Sequence, residues 1–83
     1  MFDHNLRVLH IVRGPDANIV RLFLLDEQVV RHFVELGSRE NGIRFLLVNW
    51  GRHEVTLRVD ALHIRLLAIR FGVVAEHAVQ VED

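Results

Sequence analysis

Residues 6–12 (LRVLHIV) and 19–25 (IVRLFLL) are two apolar runs joined by Arg13-Gly14-Pro15-Asp16-Ala17-Asn18. Runs of this length, rich in Val, Ile, Leu and Phe and bounded by turn formers, predict strands buried on both faces. Pro15 presets its backbone angle and Asp16 can bond nearby amides, so the link predicts a hairpin in which Arg13 faces Asn18. That pairing sorts the side chains into two sets, one with Leu6, Val8, His10, Val12, Ile19, Arg21, Phe23 and Leu25. The other has Arg7, Leu9, Ile11, Arg13, Asn18, Val20, Leu22 and Leu24, and it is nearly as apolar as the first. A sheet that wets one face normally alternates apolar with polar, and these strands do not.

After Leu25, the spacing of Val29, Val30, Phe33 and Val34 predicts a helix over about 27–36, with Asp26 as its amino-terminal cap and Gly37 as a left-handed stop. Residues 38–42 (SRENG) read as a polar connector turning at Asn41-Gly42. Residues 43–49 (IRFLLVN) predict a strand. Residues 54–60 (EVTLRVD) alternate cleanly, with Val55, Leu57 and Val59 on one side. A loop of Trp50-Gly51-Arg52 would set Ile43 opposite Val59, Phe45 opposite Leu57 and Leu47 opposite Val55. Asp60 resembles a second cap, for a helix in which Leu62, Leu66 and Ile69 share a face and Gly72 marks the stop. Residues 73–81 end the pattern as a strand.

The expected architecture is a single α+β domain over 1–83, a two-layer sandwich. A mainly antiparallel sheet of about five strands carries two helices on one face, in the order ββαββαβ. The halves align as an internal pseudo-repeat of 5–37 and 42–72. Leu6-Arg7-Val8-Leu9 falls on Ile43-Arg44-Phe45-Leu46, Gly14 on Gly51, Asp26 on Asp60 and Gly37 on Gly72.

The alternative is a ferredoxin-like βαββαβ plait, in which residues 16–36 form one helix led by Pro15. In layout that plait resembles the ACT domains, and the resemblance implies a small-metabolite-sensing module that binds its ligand between paired subunits. The turn after the first strand reads Arg13-Gly14-Pro15-Asp16 rather than the acidic, proline, glycine order usual there, so no residue is carried across.

Composition removes several chemistries. The 83 residues contain no cysteine, lysine or tyrosine, and the only side-chain hydroxyls are Ser38 and Thr56. Disulfides, thiolate metal sites and Schiff-base chemistry are therefore excluded within one chain, and a cytoplasmic setting is expected. A formal net charge of −1 supplies no field to gather nucleic acid or an anionic membrane, so neither is expected as a partner. No run approaches the ~20 apolar residues of a membrane helix. The six histidines include no pair at helical i, i+4 spacing, so no metal or other cofactor is expected, although His10 and His77 would meet if the first and last strands paired. No nucleophile elbow, phosphate loop or paired carboxylates occur, and Ser38 reads as a helix exit. The chain is expected to be non-catalytic.

The remaining signal is bulk. With the helices on one face of the sheet, Leu9, Ile11, Val20, Leu22, Leu24, Leu46 and Val48 are expected on the other, with Arg7, Arg44 and Arg58 at the rim and Trp50 as a loop-tip anchor or a lid. At ~1.5–3 kcal/mol per buried aliphatic side chain, covering such a face offers on the order of 10–20 kcal/mol. Association costs ~4–15 kcal/mol, so a covering layer is favourable. The sequence therefore predicts a protein-binding module, a regulatory subunit or inhibitor of a larger complex, covered by an identical chain or a different protein.

Overall fold

A computed structural model describes residues 7–71 and 79–82. The elements run β1 (Arg7–Arg13), β2 (Ala17–Phe23), α1 (Glu27–Gly37), β3 (Ile43–Asn49), β4 (Glu54–Asp60), α2 (Ile64–Phe71) and β5 (Val79–Glu82), with a 3-10 turn at Trp50–Arg52. This is a small α+β fold. Four strands pair antiparallel in the order β3-β4-β2-β1, and β5 lies parallel to β1. Residues 17–23 are strand, so the single helix over 16–36 that a ferredoxin-like plait requires does not form. The expected stop at Gly72, and His77 with it, lie outside the described residues.

Local chemistry sets most boundaries. Gly14 N donates to the carbonyl of Ala17 at 3.0 Å to close the first hairpin, and Arg13 pairs with Asn18 as the sequence predicts. Asp26 caps α1, its carboxylate accepting from Val29 N at 3.0 Å, and Glu27 follows in the first turn where the helix dipole favours it. Gly42 turns the chain at φ +90°, a conformation that costs little only without a Cβ. In the second hairpin the Asn49 side chain accepts from Arg52 N at 3.3 Å, and His53 reverses the chain at φ 53°.

Gly37 corrects its expected role. It is the last residue of α1 rather than a left-handed stop, and Ser38 follows it in right-handed geometry at φ −68°. A Cβ at Gly37 would lie 2.6 Å from Cζ of Phe45. The glycine is thus required by the close approach of an aromatic ring from β3, and not by backbone angle.

Both hairpins share one register. Arg7, Val8, His10, Ile11 and Val12 pair with Phe23, Leu22, Arg21, Val20 and Ile19. Arg44, Phe45, Leu47, Val48 and Asn49 pair in the same sequence with Arg58, Leu57, Thr56, Val55 and Glu54. In each case one residue is skipped, Leu9 in β1 and Leu46 in β3, and these are the residues that the alignment of the two halves superimposes. Such a bulge shifts the pleat by one residue. It brings Val8 onto the same side as Ile11, and Phe45 onto the same side as Val48. The expected pairing of Leu47 with Val55 is replaced by Leu47 with Thr56 and Val48 with Val55.

The core lies between the sheet and the helices. Val8, Ile11, Val20, Leu22, Leu24, Val55, Leu57 and Val59 are buried with Val30 and Phe33 of α1 and Leu67 and Phe71 of α2. On α2 the buried residues are not the expected Leu62, Leu66 and Ile69. The helix begins at Ile64, four residues after Asp60, and this phase leaves Leu62 and Ile69 exposed and only Leu66 packed against the core.

Candidate functional site

The sheet face away from the helices is built by the alternate residues of each strand. β4 contributes Glu54, Thr56, Arg58 and Asp60, paired on one side with Phe23, Arg21, Ile19 and Ala17 of β2. On its other side Asn49, Leu47 and Arg44 of β3 face Glu54, Thr56 and Arg58. His10 and Val12 continue two of these rows through β1, and Val79 and Val81 of β5 hold the register positions beside them. This face mixes ions with half-buried Val12, Ile19 and Phe23, so it is not the continuous apolar surface that the sequence predicts.

Five of the eleven expected contact residues therefore change place. Ile11, Val20, Leu22 and Leu24 are buried beneath the chain's own helices, and Val48 packs against the same core. The cause is the β2–β4 register, which sets Val20 opposite Leu57 and Leu22 opposite Val55. Paired residues share a face, and the alternative face of β4 is polar, so the helices cover the side with Val20 and Leu22. These four residues are corrected from contact surface to core. The side chains of Arg7 and Leu9 lie outside the described set.

Leu46, Leu47, Trp50, Arg44 and Arg58 do reach the surface. Leu46 is 50% exposed, Leu47 55% and Trp50 44%, all within five residues on or next to β3. β3 is an edge strand, so one row of its backbone donors and acceptors is not used by the sheet. The bulge at Leu46 is what leaves two consecutive leucines outside the core. Trp50 sits at the end of the strand with the Arg31 guanidinium 6.0 Å from its ring centroid, a cation–π contact that ties the loop to α1.

Two ionic features flank this edge. Arg21 Nε donates to the nearly buried carboxylate of Glu54, an ion pair across strands β2 and β4. Toward the other end, Arg44 stands directly opposite Arg58, beside a recess of about 190 Å³ lined by Gly42, Ile43, Arg44, Arg58 and Asp60. Asp60 also faces His63, with Nδ1 to Oδ2 at 3.5 Å. The His63 ring packs so closely on the turn that a Cβ at Gly42 would lie 2.6 Å from its Nδ1. Sequence reasoning missed the Arg21–Glu54 pair and the recess. Their signals, a lone arginine in an apolar strand and arginines in two strands whose pairing was already anticipated, were present in the pattern.

Among the described residues no three His, Asp or Glu side chains converge as metal ligands, and no helix is long and apolar enough to cross a membrane. Comparison with protein-family models, with curated proteins and with solved structures finds no match.

Proposed function

We propose that this chain is a small non-catalytic protein-binding module of the kind that serves as a regulatory subunit or inhibitor, and that it binds through the edge strand β3. The observation that carries the reading is the run Leu46, Leu47 and Trp50, three large apolar side chains about half exposed beside unpaired strand backbone. An edge of this kind offers main-chain hydrogen bonds for affinity and side-chain contacts for specificity. Aromatic and aliphatic anchors at the centre of a patch supply most of the energy of such contacts.

The occupant that fits this edge is a second copy of the chain. Two β3 edges related by a twofold axis pair antiparallel, extend both sheets into one and cover each other's leucines. A formal net charge of −1 opposes that approach little, and β3 itself carries no acidic residue. The reading as an ACT-like metabolite sensor loses its basis, because it rests on a plait that residues 17–23 do not form. Sedimentation of the wild type and of Leu47→Arg at micromolar concentration tests the proposal. A dimer that the substitution dissociates is expected. A different protein at the same edge would give a wild-type monomer whose binding to that partner Leu47→Arg abolishes, and a monomer that binds neither itself nor an apolar dye overturns the proposal.

A further inference from the structure

We infer that Arg44 and Arg58 form a binding site for a single oxyanion group, a phosphate or a carboxylate, held in the recess at the Gly42 end of β3. The two arginines are direct cross-strand partners and both are exposed. Like charges directly opposite in a sheet repel. Among the described residues, neither guanidinium has a carboxylate within ion-pair distance, whereas Arg21, Arg31 and Arg70 each have one. The corresponding position of the first hairpin pairs Arg7 with Phe23, so the doubled charge belongs to the second hairpin alone.

The recess of about 190 Å³ gives the anion a place between them. Guanidinium presents a planar fork of donors that matches two oxygens at once, and two such forks on adjacent strands converge on one group. Asp60 lines the same recess and opposes an anion, but its carboxylate is turned to His63 at 3.5 Å. Arg44, Arg58 and Asp60 together leave the recess net positive. The site does not depend on association through Leu46 and Leu47, so the two readings fail separately.

The test is a titration of the wild type and of Leu47→Ser, a substitution at the proposed contact edge, with sodium phosphate and, separately, with sodium glutarate. Proton–nitrogen correlation spectra record the backbone and the arginine Nε–H signals, with chloride at matched ionic strength as reference. Saturable shifts are expected at residues 42–44 and 58–60 with at least one of the two anions, and none with chloride. Saturation by phosphate alone identifies a phosphorylated ligand, by glutarate alone an acidic side chain or small acid, and by both a general oxyanion site. Arg44→Gln and Arg58→Gln are each expected to weaken binding at least about tenfold, while Arg39→Gln leaves it unchanged. In anion-free buffer of low ionic strength, Arg58→Gln is expected to raise the melting temperature, because it removes the repulsion. Shifts that follow chloride, or that survive both arginine substitutions, overturn the inference.

Discussion

The ring of Phe33 in α1 lies 4.8 Å from the ring of Phe71 in α2, tilted at 46°, and both are buried. A second contact places Phe33 edge-on to Phe45 of β3, with centroids 6.0 Å apart at 88°. Phe33 is thus the point at which both helices and the edge hairpin meet. Truncating a buried phenylalanine costs ~3–5 kcal/mol, the lost transfer energy plus the cavity left behind. Phe33→Ala is expected to lose that much in urea denaturation. A loss below ~1 kcal/mol would mean that the helices do not pack as described.

Gly37→Ala separates helix propensity from packing. Inside a helix alanine is favoured over glycine by ~1 kcal/mol, so on propensity alone the substitution stabilises. Here the added Cβ would lie 2.6 Å from the Phe45 ring, and overpacking of this kind costs ~1–3 kcal/mol. Destabilisation is expected in the wild-type background and should vanish or reverse with Phe45→Leu in a double-mutant cycle. Stabilisation by Gly37→Ala alone would show that the ring does not press on the helix end.

The Arg21–Glu54 pair makes a third case. Glu54 is 5% exposed and its partner side chain 45%, so solvent screens the pair from one side only. Removing the arginine strands a nearly buried carboxylate. Arg21→Met is expected to destabilise by ~1–2 kcal/mol, and the double variant with Glu54→Gln by less than the single one. Equal losses in the two would mean that the carboxylate is not held by the arginine.

The fold class, both hairpins and the first helix were legible in the pattern because each is set locally. Alternation marks the ends of β4, Asn41-Gly42 the turn into β3 and Asp26 the cap of α1. The face of the hairpin that the helices cover was not legible, because it depends on β2 lying beside β4, a contact between residues more than thirty positions apart that no local signal reports. Once Val20 is opposite Leu57, the clean alternation of β4 decides the matter for β2 as well. The bulges were hidden for a similar reason. Leu46 and Leu47 read as one inward and one outward residue, and only the skipped position shows why both are outside. On α2 the apolar residues suit two faces, and the helix start at Ile64 selects the one with Leu67 and Phe71. The expected contact residues that stay exposed are therefore those of the β3 edge, Arg44, Leu46, Leu47 and the adjoining Trp50, with Arg58 beside them on β4.

The most direct test of that surface is sedimentation velocity on the purified chain across the micromolar range, with Leu47→Arg run beside it. Leu47 is 55% exposed, so the substitution should leave the single chain folded and remove only the concentration-dependent stabilisation that association supplies. The expected result is a wild type that sediments increasingly as a pair of chains with rising concentration and a variant that stays single throughout. A wild type that remains a single chain over the same range, indistinguishable from Leu47→Arg, would contradict self-association through β3.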